Sequence, residues 1–332
     1  MLESSTTAEP RLEIVELPRA AAEHRFSDDV RVGLSAPAKS LPSKYFYDEL
    51  GSALFDAITH LPEYYLTAAE TDILREWGWE IVRMFDAPVD FLELGSGSAI
   101  KTRLLIEEAL RVQPRLRYSP IDISIDALRS SSTALVERYD ALSIRAYAGD
   151  YFAVLGSGAL RFERPVLAML MGSNIGNYAP DEARALVALI GKTLRPGDAL
   201  LLGTDCKKDR ATLERAYNDP TGVTAAFDKN VLGRINRELG GTFDLHGFDH
   251  VARYDEERGC VESFLRSRFA QTARVDAIGL DVRFEAGEAI HTESSYKFDD
   301  CDVMRLADAG GFTIAKAWFD RERRFALHLL KR

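Results

Sequence analysis

Two glycines set two residues apart, Gly95 and Gly97, follow an apolar run that begins at Asp90 and carries the acid Glu93. Glycine lets the backbone turn sharply and brings bare N–H groups up to a ligand, and such turns serve that purpose at the carboxyl ends of parallel strands. A dinucleotide fingerprint, G-x-G-x-x-G, would need a third glycine where Ile100 stands, which argues against a nicotinamide reductase. Two more strand-like runs end in groups suited to a nucleoside. Residues 116–121 end in Asp122, a carboxylate able to take ribose hydroxyls. Residues 143–148 end in Gly149-Asp150-Tyr151, able to accept from an adenine amine and cover its ring. Residues 166–171 run into Gly172-Ser173-Asn174-Ile175-Gly176-Asn177, and Leu194-Arg195-Pro196-Gly197-Asp198 turns the chain into a strand at 199–203. In this order these groups point to S-adenosylmethionine (SAM) and methyl transfer.

The elements that must hold these groups alternate strand and helix from about residue 67 to 204, with a helix predicted over 100–110. That pattern predicts an α/β fold, a Rossmann-like class I SAM-methyltransferase sheet with helices on both faces. After Asp205 the character changes. Residues 209–217 and 221–239 read as helices, and from Val251 the pattern is strand-like, as in 261–265 and 280–284. Residues 310–318 and 324–330 read as a terminal hairpin. The expected organisation is a core over 66–204 completed by 296–332, and an inserted α+β second domain made of 10–65 and 205–295. The 332 residues accommodate this, and 42 basic against 52 acidic residues, a net −10, disfavour a nucleic-acid groove. No apolar run reaches the ~20 residues of a membrane helix. Residues 1–10 are polar, read as frayed, and lack a signal-peptide core, so a cytoplasmic location is expected. Cys206, Cys260 and Cys301 lie far apart and imply neither disulfides nor zinc. His246 and His250 are four apart, but Gly247 between them and the lack of a third ligand make the segment a loop, and no metal is expected.

Several runs then converge on one family: Leu41-Pro42-Ser43-Lys44-Tyr45-Phe46-Tyr47-Asp48, Leu61-Pro62-Glu63-Tyr64-Tyr65, Glu93-Leu94-Gly95-Ser96-Gly97 with Lys101-Thr102-Arg103, Ile175-Gly176-Asn177, Leu202-Gly203-Thr204-Asp205, Ala216-Tyr217-Asn218-Asp219, and Thr292-Glu293-Ser294-Ser295 with Lys297-Phe298. Over nearly its whole length the chain resembles the histidine-specific N-alpha-methyltransferases of ergothioneine biosynthesis. The resemblance implies three SAM-dependent methylations of the α-amine of histidine, giving the betaine hercynine. It implies that Gly95, Lys101, Asp122, Asp150 and Tyr151 contact SAM, with Tyr47 nearby. It implies that Tyr64, Asn177, Tyr217, Glu293 and Ser295 contact the amino acid, with Phe55 and Gly172 near the reacting amine. Glu293 and Ser295, two apart in a strand, should share a face aimed at the imidazole.

One position departs from the family. Where methionine usually meets the imidazole this chain has Ser263, expected to point into the same pocket. The change makes another amino acid, tryptophan or a histidine derivative, the alternative substrate. A catalytically silent SAM-binding module is the alternative from another class. Read singly, Tyr64 and Tyr65 are core aromatics, whereas helix caps at Asp122 and Asp150 and a solvated cation at Lys101 are the weaker alternatives to ligand contacts. The expected partner is a small-molecule amino acid, with no nucleic acid or membrane, and the expected state is a monomer.

Overall fold

The structure, a computed structural model, describes residues 10–16 and 26–332; the expectation of a frayed segment over 1–10 therefore falls, except at Pro10, outside the described residues. The chain runs β1 (Leu12–Glu16), α1 (Phe26–Ser35), α2 (Glu49–Ile58), α3 (Tyr65–Arg83), β2 (Asp90–Leu94), α4 (Thr102–Val112), β3 (Leu116–Asp122), α5 (Ile125–Arg138), β4 (Leu142–Ala148), α6 (Tyr151–Gly156), β5 (Val166–Leu170), α7 (Pro180–Thr193) and β6 (Ala199–Asp205). It continues through α8 (Arg210–Ala216), α9 (Val223–Leu239), β7 (Phe248–Asp255), β8 (Cys260–Ser267), β9 (Gln271–Val275), β10 (Leu280–Phe284), β11 (Ala289–Tyr296), α10 (Asp300–Gly310), β12 (Thr313–Phe319) and β13 (Phe325–Lys331).

The large sheet has the order β1-β4-β3-β2-β5-β6-β13-β12, parallel from β1 to β6 and closed by the antiparallel β13 and β12. Its central strands β2, β5 and β6 are buried along their whole length because both faces are covered. Alternate residues of one strand enter different cores. Phe91, Leu167 and Met169 pack with α3, α4 and α5, while Leu92, Val166, Ala168 and Leu170 pack with α6, α7 and α10. The strand order reverses between β2 and β5, which opens a crevice at their carboxyl ends, the usual seat of a ligand in such sheets. The nucleoside-directed groups of the sequence lie on the loops at that edge or, as Asp122 and Tyr151 do, at the element ends that border them.

A third core joins α1, α2 and α9 to the sheets β7-β8-β11 and β9-β10. Phe46 and Phe227 stack edge-on there with ring centroids 4.9 Å apart, and α2 is capped by Asp48, whose carboxylate accepts from Gly51 N at 2.8 Å. Two placements differ from the sequence expectation. Residues 12–16, assigned to the second domain, form β1 and pair in parallel with β4 of the large sheet. The helix expected at 100–110 starts only at Thr102, because Gly95, Gly97 and Ala99 all hold positive φ and prolong the turn.

Candidate active site

The β2–α4 turn is built around left-handed glycines. Gly95 has φ +79°, and a Cβ there would fall 2.3 Å from Tyr151 Oη and 2.6 Å from Asn174 Nδ2, so only glycine fits. Gly97 donates its N–H to Asp122 Oδ2 at 2.8 Å, and Ser124 N donates to Asp122 Oδ1 at 2.9 Å. Asp122 thus ties the β2 loop to the β3 loop; burial raises its pKa above the ordinary carboxylate value, against the pull of these backbone bonds. Asp150 is the N-cap of α6 and accepts from Phe152 N at 2.9 Å and Ala153 N at 3.4 Å through Oδ1. A carboxylate has about four acceptor sites, so both residues can cap or clamp loops and still accept from a ligand. The donor set fits a nucleoside: two carboxylates for hydroxyl and amine N–H groups, a tyrosine ring, and a glycine turn stripped of side chains.

Glu93 has another task. It is buried, accepts from Thr102 Oγ1 at 2.6 Å and from Tyr118 Oη, and burial lifts its pKa to about 7. It locks the turn to α4. Lys101 is not a free surface cation. It pairs with Glu70, a fully buried residue of α3, and Glu70 Oε1 accepts from Gly172 N at 2.9 Å. Nothing local in the α3 sequence distinguishes Glu70 from a solvated helix acid; only packing shows that it joins the β2 and β5 loops.

A cleft opens beside this crevice, lined by Tyr47, Phe55, Ile58, Tyr64, Gly172, Ser173, Asn174, Asn177, Ala216, Tyr217, Thr224, Phe227, Glu293 and Ser295. Five rings form one wall in chain contact. Centroid separations are 6.2 Å for Tyr217–Tyr64, 6.1 Å for Tyr64–Phe55, 5.6 Å for Phe55–Tyr47 and 5.5 Å for Tyr47–Phe227. Burial drives the Tyr47, Tyr64 and Tyr217 hydroxyls well above the ordinary tyrosine pKa, so all three remain protonated donors. Gly172 and Ser173 both hold positive φ, which bends the β5 loop and brings Asn174 and Asn177 to the cleft. Asn177 is exposed, and its side chain makes no hydrogen bond among the described residues.

Opposite the rings stands β11. Glu293 and Ser295 share its inner face, and a bulge between His291 and Glu293 sets where that face turns inward. Burial lifts Glu293 to about pH 7, with Lys297 pulling the other way. Ser295 Oγ lies 2.8 Å from Tyr217 Oη, so it belongs to the tyrosine end of the cleft as much as to Glu293. Ser263 stands beside Glu293 on the neighbouring strand β8 and is 2% exposed, and it is not among the residues that line the cleft. His250 is not in a loop. It lies on β7, buried, with Nε2 3.5 Å from Asp228 Oδ2 on α9, and neither side chain has a hydrogen-bond partner among the described residues. Thr224, one turn before Asp228, presents its Oγ1 unpartnered too.

Sequence reasoning did not find Glu70, Thr224, Phe227 or the Asp228–His250 pair, and it quoted Lys297 without a role. The apolar spacing of α9 could have suggested Phe227 as core but not as cleft wall.

The sequence profile of the family described as "Histidine-specific methyltransferase, SAM-dependent" matches residues 26–332. A protein of Mycolicibacterium smegmatis named "Histidine N-alpha-methyltransferase" is 43% identical over 92% of this chain and 94% of its own length. A second of that name, from Mycobacterium tuberculosis, is 44% identical over 91% and 93%. The "L-tryptophan methyltransferase trpM" of Psilocybe serbica is 26% identical over 90% of each chain. Among solved structures, a putative methyltransferase from Thermobifida fusca aligns over 90% of this chain and 97% of its own at 15% identity, with a TM-score of 0.47. On the profile and on relatives above 40% identity over nine-tenths of the chain, this protein belongs to the histidine-specific, SAM-dependent methyltransferase family.

Proposed function

We propose that this chain methylates the α-amine of L-histidine three times, giving hercynine in ergothioneine synthesis. The observation that carries the reading is the cleft itself: an acid and a hydroxyl on one face of β11, a wall of five rings opposite, and the Gly172 turn between them and the nucleotide crevice. SAM supplies the electrophilic methyl on its sulfonium. Asp122 and Asp150 are placed to accept from its ribose and adenine, with Gly95, Lys101 and Tyr151 around them. Tyr64, Asn177 and Tyr217 offer donors to the amino acid's carboxylate, and Glu293 accepts from an imidazole N–H. The amine must be neutral with its lone pair directed at the methyl, so positioning supplies most of the rate. Burial among Tyr47, Phe55 and Phe227 favours the neutral amine, and their ring faces then accommodate the cation that grows with each transfer. The proton released before the second and third transfers leaves through the open mouth at Asn177.

Changing Asp122→Ala is expected to weaken SAM binding about ten- to a hundredfold, the size of one charge-assisted bond of ~1.5–3 kcal/mol. Calorimetry at constant fold, checked by circular dichroism, reads this; unchanged affinity would show that the cofactor lies elsewhere.

The buried Ser263 motivates the second reading, in which another amino acid such as tryptophan is the better substrate. Retained Glu293 favours histidine, because a buried carboxylate matches a ring with polar nitrogens better than an indole with a single N–H. Turnover of each proteinogenic amino acid, followed by mass spectrometry, decides between the readings; faster turnover of any amino acid without an imidazole overturns the first. The same reading has the chain act as a cytoplasmic monomer on a free amino acid; among the described residues no helix is long and apolar enough to cross a membrane.

A further inference from the structure

Lys297 follows the cleft residues of β11 by two positions and is completely buried. Its Nζ donates to Tyr217 Oη at 2.8 Å and to Ser295 Oγ at 2.9 Å, and pairs with Asp205 Oδ2 at 3.0 Å. An ammonium has three N–H donors and no acceptor, so its capacity is filled. Asp205 is itself fully buried, accepts from Tyr65 Oη at 2.7 and 2.9 Å, and is shared with Lys208. Two ammonium groups therefore lean on one carboxylate.

We infer that Lys297 is a positioning residue that forces the Tyr217–Ser295 pair to present a hydroxyl proton to the cleft, which selects substrates carrying a carboxylate. The inference rests on the reading of this cleft as the amino-acid site. It follows from counting protons. The two hydroxyls, 2.8 Å apart, carry two protons, and one is used between them. Neither can be given to Lys297, because an ammonium accepts nothing. The remaining proton is directed into the cleft that both residues line. Behind it stands a cation 4.5 Å from the centre of the Tyr217 ring, an electrostatic setting that favours an anion in front. Asp205 holds that cation in place.

The test compares L-histidine with histidinamide, in which the carboxylate is a neutral amide, by calorimetry on protein saturated with S-adenosylhomocysteine. Wild type should bind histidine more tightly. Lys297→Gln keeps the polarity but adds an amide oxygen that accepts the hydroxyl proton and turns it inward. That variant, and Lys297→Met, should weaken histidine about ten- to a hundredfold, change histidinamide by less than about threefold, and leave S-adenosylhomocysteine affinity in place. Lys297→Arg, which still only donates, should restore most of the discrimination. Equal weakening of both ligands would mean a merely structural lysine and overturn the inference. Wild type that binds both ligands equally overturns the inference and spares the amino-acid reading, whereas wild type that binds neither overturns both.

Discussion

Replacing Glu293 by alanine is expected to weaken histidine binding by about a hundredfold and to narrow the preference for histidine over tryptophan, with SAM affinity unchanged. The half-buried carboxylate lines the cleft, and desolvation lifts its pKa to about 7. A ring N–H donating to it makes a charge-assisted bond of ~1.5–3 kcal/mol, and losing the acceptor leaves that N–H unsatisfied. An indole has less to lose, since its recognition depends mostly on apolar area. The protonation state gives a second handle. Ionised Glu293 accepts from an imidazole N–H about twice as strongly as the neutral acid, so kcat/KM for histidine should rise as pH increases through about 7. Glu293→Gln should abolish that limb while leaving the rise, at higher pH, that follows deprotonation of the substrate amine. Steady-state kinetics from pH 5.5 to 9 on wild type and both variants reads this, and an unchanged limb in Glu293→Gln would assign it to another group.

The second large effect concerns stability. Asp228 and His250 face each other at 3.5 Å without a hydrogen bond, buried between α9 and β7. Desolvation raises Asp228 to about 8 and lowers His250 to about 4, which favours the uncharged form of both. For Asp228 the native value lies above the unfolded one of about 3.9. The unfolded chain therefore releases a proton that the native state keeps, and stability falls as pH rises from about 4 to 8. At pH 7 the cost reaches ~4 kcal/mol as an upper bound, three pH units at ~1.4 kcal/mol each. For His250 the native value lies below the unfolded one, so stability falls again as pH drops from about 6.5 to 4. Asp228→Asn should stabilise the protein by ~1–3 kcal/mol at pH 8, less than the bound because a buried amide also lacks partners, and that gain should vanish near pH 4. Urea unfolding at the two pH values measures it. A variant less stable than wild type at pH 8 would mean that Asp228 is ionised and paired with a charged His250.

The groups at the strand ends were legible without coordinates for a topological reason. In a parallel sheet every strand's carboxyl end lies at one edge, so Gly95, Asp122, Asp150 and Gly172 meet there wherever the helices pack. Strand periodicity likewise placed Glu293 and Ser295 on one face, because side chains alternate every two residues whatever the sheet packs against. The family motifs singled out Tyr64 and Tyr217, although nothing in their own neighbourhoods separates a cleft ring from a core ring.

Tertiary structure alone decided the rest. The five rings come from α2, α9 and the loops bordering α2, α3 and α8, and they form a wall only once those elements close on β11. The partners of Lys101 and Lys297 are Glu70 and Asp205, distant in sequence and buried, and no local pattern distinguishes a carboxylate that will lose its water. The same holds for β1, whose short strand joins β4 rather than the layer around α9, and for His250, whose burial against Asp228 is a property of two packed elements. Local chemistry dictates which residue can turn, cap or alternate; which buried charges meet, and which rings face a substrate, depends on the packing of layers far apart in the chain.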